Sequence, residues 1–269
     1  MVKKLFKHEI KAYSRVIFPM HLLLIGIALM CRFIQFFESE TDAYQIMFYS
    51  SIFALCVGAI VCMVLTIVFG VRRFYQNMFT HEGYLTLTLP VTSNQHIFVK
   101  TSVAVLSQIV SLLMIIIAGC CASLGDVCIE IFKVVGYCLK RLFLNYDVHA
   151  GLFIGEFILT LIISFITMYM VFYACVALGQ RAKKNRIGAA IGIYFIYYLI
   201  VQTISTIFTI IVTVFYEELR LDKLVEYLLK HPIFTNHLAF AVSFVISAII
   251  IIIGYHTTKR TIDRKLNLE

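Results

Sequence analysis

Two ionisable side chains lie inside long apolar stretches of the sequence, where a charge is costly. Arg32 stands in MCRFIQFF near the end of the first stretch, and Glu156 stands in GLFIGEFIL near the start of the fourth. A charge at the centre of a bilayer costs about 2.5–3.5 kcal/mol even on insertion scales, so each is expected to face protein or water. We therefore take Arg32 and Glu156 as possible intramembrane polar sites, lining a pathway or pairing between helices. Hydration at the membrane surface is the simpler alternative for both.

The motifs of intramembrane and ATP-hydrolysing enzymes are absent from the sequence. It contains no HExxH, no GxSxG and no GxxxxGK[ST], and no pair of membrane aspartates that would share a proton. Its 8 cysteines include no CxxC pair and no Cys/His metal spacing, and most lie in apolar stretches. We therefore expect no catalytic residue, no metal site and no cofactor on this chain.

The composition is that of an integral membrane protein. Of 269 residues 61% are hydrophobic and 14% charged, with a mean hydropathy of +0.92, whereas soluble domains are about 25% charged. Six segments are long enough to cross a hydrocarbon layer of about 30 Å as helices. They are residues 16–37, 46–71, 101–125, 151–180, 187–215 and 237–256. Because helices satisfy their own backbone hydrogen bonds in lipid, the predicted fold is all-α, a single transmembrane domain over residues 1–269.

The net charge of +8 reflects membrane orientation and not nucleic-acid binding. Basic residues concentrate before the first span, at 72–100, at 181–186 and at 259–265, whereas residues 38–45 contain none. Segments rich in Lys and Arg stay on the cytoplasmic side, so we expect both termini in the cytoplasm.

Three further segments are amphipathic. Residues 1–15 form an expected elbow helix lying on the membrane surface, with a bend near Pro19 and His21; a plain basic flank is the alternative. Its apolar stripe is Val2, Leu5, Phe6, Ile10, Tyr13 and Val16. Segments 126–144 and 216–230 are expected to form helices at the outer surface, which cap a pathway or simply carry surface charges.

The longest cytoplasmic connection, residues 72–100, contains the unusual stretch HEGYLTLTLP. Leucines alternate there with threonines, Gly83 allows a turn, and Pro90 followed by Thr92, Ser93 and Asn94 predicts a break and then helix-capping residues. A projecting, leucine-bearing segment of this kind is suited to a groove on another protein. A passive loop kept polar by its location is the alternative.

The stretch EGYLTLTLPVTSNQHIFVK resembles the first cytoplasmic loop of the permease subunits of bacterial ATP-binding-cassette (ABC) exporters of the type-2 superfamily. The elbow, six spans and outer helices fit the same plan. The resemblance implies a plasma-membrane permease that contacts a separate ATPase subunit, which binds ATP and Mg, and pairs with a second six-span permease, the same or a sister chain. The implied ATPase contact is Glu82, Gly83, Tyr84, Leu85, Thr86, Leu87, Thr88, Leu89 and Pro90.

Two other classes remain open. A self-contained secondary transporter would show inverted repeats and a charged midplane, but the spans are almost free of charge. An intramembrane enzyme or sensor would act without an ATPase. The aromatic-rich spans suit an amphiphilic substrate such as a hydrophobic peptide, a lipid or a drug, with antimicrobial-peptide export as the favoured case; they equally suit packing against lipid.

Overall fold

The computed structural model describes residues 2–37, 41–80, 83, 90–123, 126–146, 148–182, 184–216 and 221–265. In these residues eight α-helices and no β-strand are found. The helices are α1 Val2–Gln35, α2 Asp42–Phe79, α3 Ser93–Ala122, α4 Asp126–Tyr146, α5 Val148–Gly179, α6 Arg186–Val214, α7 Leu221–Lys230 and α8 Pro232–Lys265.

Six of the helices, α1, α2, α3, α5, α6 and α8, are long and apolar enough to cross a membrane. The prediction of an all-α chain with six such helices is confirmed. Several are longer than the bilayer requires: the 38 residues of α2 rise about 57 Å, well beyond a hydrocarbon layer of about 30 Å. The ends of these helices therefore extend past the lipid.

The predicted elbow is not a separate helix. α1 runs from Val2 to Gln35 through Pro19 without interruption, so its N-terminal part continues directly into the span. Its buried residues follow one helical row: Glu9, Tyr13, Ile17, His21, Leu24, Ala28 and Cys31. Of the predicted apolar stripe, Tyr13 is buried but Ile10 and Val16 are exposed. Val2, Leu5 and Phe6 of the stripe are half-buried, so the row that contacts protein coincides with only part of the row that hydropathy selected.

The chain divides into two compact units, Met1–Asn77 with Gly83–Leu142, and Met78–Glu82 with Phe143–Glu269. The first contains α1, α3 and most of α2 and α4; the second contains α5 to α8. Each unit thus carries three of the six long helices.

In the first unit α1 packs on α3, and small side chains fill the contact. A buried cluster consists of Leu24, Ala28, Cys31, Cys62, Ala118 and Ala122. Small residues let membrane helices approach closely, and van der Waals packing then stabilises the association.

In the second unit α5 packs on both α6 and α8, and α7 packs on α8. Glu156 contacts His237 near the start of α5 and α8, and further along a Cβ at Gly254 would lie 3.1 Å from the carbonyl oxygen of Met170. Because both contacts advance towards the C-terminus, the two helices run parallel. Their N-terminal ends therefore lie at the same side of the unit.

Candidate functional site

Most of the predicted ATPase contact lies outside the described residues. Glu82 and residues 84–89 are not described; Gly83 is buried with helical backbone, and Pro90 is exposed in a bend. The assignment of residues 82–90 as a partner contact therefore stays a prediction, and the geometry of its two flanking helices becomes the informative feature.

The N-terminus of α3 is capped, as the sequence predicted. Thr92 is the N-cap: its hydroxyl accepts from the backbone N–H of Gln95 at 3.4 Å, and the Gln95 amide oxygen accepts from the Thr92 N–H at 3.2 Å. This reciprocal capping box satisfies two N–H groups that a helix otherwise leaves without partners. One end of the connecting segment is therefore fixed by local hydrogen bonds.

A buried ion cluster joins both flanks of the segment to α1. The Glu9 carboxylate of α1 accepts from Lys100 Nζ of α3 at 2.8 Å and from Arg73 Nε of α2 at 2.5 Å. Asn77 Nδ2, one turn after Arg73, lies 3.5 Å from the same carboxylate. We call Glu9, Arg73, Asn77 and Lys100 the Glu9 cluster. In this cluster the last turns of α2 and the second turn of α3 contact the same side chain, that of Glu9.

Burying the charges of the Glu9 cluster costs free energy. The side chains of Glu9 and Lys100 are each 3% exposed, while that of Arg73 is 24% exposed and reaches water. Removing a charge from water costs several kcal/mol, which a close opposite charge and further hydrogen bonds must offset. Because Glu9 accepts hydrogen bonds from both cations, loss of its charge would remove one counter-ion from the buried Lys100 side chain.

Sequence reasoning missed this cluster. In the sequence, Lys100 and Arg73 indicate only membrane orientation, and Glu9 lies among the N-terminal lysines. A signal was present: Glu9 lies four residues before Tyr13 and eight before Ile17, on the row that proves to be buried. An acidic residue on the buried row of a basic helix indicates a cationic partner on a neighbouring helix.

A second polar chain crosses the interior of the first unit. His21 Nε2 lies 2.9 Å from Ser111 Oγ, Ser111 Oγ lies 2.9 Å from Thr66 Oγ1, and Thr66 donates to the Cys62 carbonyl at 2.8 Å. Since the one Thr66 proton goes to that carbonyl, Ser111 must donate to Thr66 and His21 Nε2–H to Ser111. The donated hydrogen bonds therefore run in one direction, from His21 of α1 through Ser111 of α3 to Thr66 of α2. From the sequence, His21 is predicted only to lie near a bend.

Arg32 finds its hydrogen bond on its own helix. Its guanidinium donates to Gln35 Oε1 at 3.0 Å and lies 5.1 Å from the centre of the Phe36 ring. Gln35 in turn donates to the carbonyl oxygen of Ala122 at 3.0 Å, at the end of α3. Arg32 is half-buried in this contact, and its assignment as an intramembrane polar site stays a prediction.

Glu156 contacts a histidine of a neighbouring helix, and its role as an intramembrane polar site stays a prediction. Its two carboxylate oxygens lie 2.8 and 3.0 Å from His237 Nδ1 of α8, and His237 Nε2 lies 3.3 Å from His149 Nδ1. The Phe153 ring covers His237 at 4.7 Å between centres. Sequence reasoning missed the contact of both histidines, because it joins residues more than 80 positions apart. The spacing of His149 and Glu156, seven residues or two turns on α5, was the available signal.

In the described part of the chain no group of three or more His, Cys, Asp and Glu side chains is placed to hold a metal ion. The chain matches no protein-family model, no curated protein and no solved structure. What the protein does must therefore be argued from its residues and their geometry.

Proposed function

We propose that the chain is the membrane subunit of an ABC exporter, inserted in the plasma membrane with both termini in the cytoplasm. In this proposal residues 82–90 contact a separate ATPase subunit that binds ATP and Mg. The chain forms half of the export pathway for an amphiphilic substrate, a hydrophobic peptide in the favoured case. ATP binding by the partner would move the contact segment, and this chain would carry the motion into its spans.

The observation that carries the proposal is the Glu9 cluster. A segment that receives force from a partner needs flanks that move with the membrane helices, and α2 and α3 are joined to α1 at this point by buried charges. A passive loop has no need of so costly an attachment. The continuity of α1 adds to this support, because a displacement at Glu9 passes along one helix into the span.

α6 supports pairing with a second permease. None of its residues is buried, although it is long and apolar enough to cross a membrane. It carries an exposed polar row, Gln202, Thr206, Thr209 and Thr213. Polar groups gain little from lipid, and such rows are typical of contacts between membrane helices. A second six-span chain, the same or a sister, would cover this row and complete a twelve-span pathway.

A self-contained secondary transporter is the second candidate. The hydrogen bonds that connect His21, Ser111 and Thr66 favour it. Intramembrane histidines connected to hydroxyl groups occur in proton pathways, and His21, Ser111 and Thr66 are all buried. This candidate requires no ATPase partner. The same experiment therefore separates the two functions.

The test is co-purification of the tagged chain from its native membranes in mild detergent. We expect an ATPase subunit to accompany the wild-type chain and to be lost when residues 82–90 are replaced by Gly and Ser. A control with Asp222→Ser and Lys223→Ser on α7 should retain it. With purified partners, Glu82→Ala combined with Tyr84→Ala should abolish stimulation of ATP hydrolysis while insertion persists. Recovery of the wild-type chain without any ATPase would reject the exporter and favour the self-contained transporter.

A further inference from the structure

One face of α1 changes from basic to apolar at Pro19. Before the proline this face carries exposed basic side chains, and after it an exposed apolar surface. The residues follow one another at steps of three and four, so they lie on one side of the helix. They are Lys4, His8, Lys11, Arg15, Pro19, Leu22, Gly26 and Met30. The row buried against protein, which includes Tyr13, Ile17 and Leu24, lies on the opposite side.

The apolar part of this face is a groove of about 880 Å³. α1 lines it from Pro19 to Ile34, and α2 contributes Ser51 and Ala54 at the far end, where Cys31 donates to the Ser51 carbonyl. Its volume lies in the range of ligand sites, about 300–1,000 Å³. The helix rises about 22 Å between Pro19 and Ile34, whereas half of a hydrocarbon layer measures about 15 Å. An acyl chain of one leaflet therefore fits along the groove.

Arg15 lies where the basic part of the face meets the groove. It is exposed one turn before Pro19, and Lys11 is exposed one turn before Arg15. Neither forms an ion pair with another residue that the structure describes. Pro19 has no N–H, so the carbonyl oxygen of Arg15 lacks the donor that an α-helix otherwise supplies four residues later. Two cations and a backbone acceptor therefore lie at the near end of the groove.

The ligand that fits this arrangement has an anionic head and a long hydrocarbon chain. A phosphate makes charge-assisted hydrogen bonds with Lys and Arg, and a hydroxyl group of the head can donate to the Arg15 carbonyl. Each basic residue near an anionic lipid surface strengthens binding about fivefold. A zwitterionic lipid has the same hydrocarbon chains but no net charge, so the basic residues favour the anionic lipid over it.

We propose that α1 binds one anionic phospholipid, whose head contacts Lys11 and Arg15 and whose acyl chain lies in the groove between Pro19 and Met30. Gly26 leaves room for this chain, because nothing lies within 4 Å of a Cβ added there. It lies about 10 Å along the helix from Pro19, within the depth of one leaflet. The site requires only that α1 crosses the membrane, so the inference stands independently of the exporter proposal.

The test uses tryptophan fluorescence, since the chain contains no tryptophan of its own. Leu23→Trp places a reporter in the groove, and Leu199→Trp places one on α6; both leucines are exposed. Each purified full chain is inserted into phosphatidylcholine vesicles with increasing shares of phosphatidylglycerol or phosphatidylcholine that carries brominated acyl chains, which quench tryptophan on contact. At Leu23→Trp we expect phosphatidylglycerol to be preferred at least about fivefold. At Leu199→Trp we expect no preference.

Charge variants of the Leu23→Trp chain test the contact with the lipid head. Lys11→Gln combined with Arg15→Gln should bring the two lipids to nearly equal binding. Lys133→Gln combined with Lys140→Gln removes the same charge from exposed positions on α4 and should leave the preference unchanged.

Gly26→Leu in the Leu23→Trp chain tests the groove, because the leucine side chain would occupy the space of the acyl chain. We expect it to abolish the preference for phosphatidylglycerol. Gly192→Leu on α6, which also has nothing within 4 Å of an added Cβ, should leave the preference unchanged. A preference that requires Lys11 and Arg15 but survives Gly26→Leu would show diffuse attraction to the membrane surface and would overturn the site.

Equal quenching by the two brominated lipids at Leu23→Trp would reject the proposal, as would a preference that persists without Lys11 and Arg15. If these variants do not fold, salt decides with the Leu23→Trp chain alone. Raising the ionic strength from about 0.1 to about 1 M shortens the Debye length from about 10 to about 3 Å, so the preference should fall severalfold. A preference that salt leaves unchanged would show that the two cations do not hold the lipid.

Discussion

At the scale of single residues, the Glu9 cluster makes the sharpest stability prediction. Glu9→Gln keeps the size and hydrogen-bonding groups of the side chain but removes the charge that faces Lys100. Because the Lys100 side chain is only 3% exposed, it cannot regain water without local rearrangement. Breaking a buried ion pair in this way typically costs about 3–5 kcal/mol. We expect a clear fall in the heat-unfolding midpoint of the purified chain.

The chain supplies its own control. Glu226 and Lys230 pair at 2.7 Å one turn apart on α7, with side chains 65% and 68% exposed. Glu226→Gln removes the same charge from a pair in water, where the cost is about 0–1 kcal/mol. Equal losses for the two variants would mean that the Glu9 cluster contributes no more than a surface pair.

Residue partners were the least predictable part of the chain. Glu156 stood out because a charge in an apolar segment is conspicuous, but its partner His237 lies 81 positions away and is fixed by the packing of α5 on α8. Lys100 was noticed only as a positive charge. Hydropathy reports the cost of placing a side chain in lipid; it does not report which helix lies opposite.

At the scale of helices, the close approach of α5 and α6 depends on a glycine. A Cβ at Gly179 would lie 2.8 Å from the backbone nitrogen and Cβ of Ala190 and 2.9 Å from its Cα. Backbone atoms cannot turn aside as a flexible side chain can, so Gly179→Ala must separate the helices or shift one of them. Overpacking of this kind costs about 1–3 kcal/mol. We expect Gly179→Ala to lower the heat-unfolding midpoint.

Gly192→Ala on α6 is the matched control, because nothing lies within 4 Å of its added Cβ. Since alanine also favours helix over glycine by about 0.8–1 kcal/mol in exposed positions, Gly192→Ala should leave the midpoint unchanged or raise it. A Gly179→Ala chain as stable as wild type would show that α5 and α6 do not approach this closely.

The existence of the helices was predictable, whereas their contacts were not. Lipid admits few alternatives to a helix, so length and hydropathy identified all six long helices. Local chemistry also predicted a capped start of α3, and among Thr92, Ser93 and Asn94 the structure identifies Thr92 as the cap. The continuity of α1 through Pro19 and its buried row did not, because they depend on the surface of α3 against which α1 packs. Local sequence patterns describe a helix but not its neighbours.

At the scale of the whole molecule, six crossings would place both termini on the same side of the membrane, and from the distribution of Lys and Arg we expect that side to be the cytoplasm. We expect a membrane-impermeant thiol reagent to label Asp42→Cys on intact cells, in a background without native cysteines. Lys184→Cys should react only after permeabilisation. Both positions are exposed, so access depends on the membrane and not on protein packing.

Two further positions make the labelling test complete. Asp222→Cys on α7 should react like position 42, because an even number of crossings separates them, whereas Phe195→Cys, exposed on α6, should stay unlabelled because lipid excludes a polar reagent. Labelling of position 184 but not 42 on intact cells would show that the chain has the opposite orientation. Residues 82–90 would then lie on the side away from any cytoplasmic ATPase. The exporter proposal depends on this orientation, since ATP is hydrolysed on the cytoplasmic side.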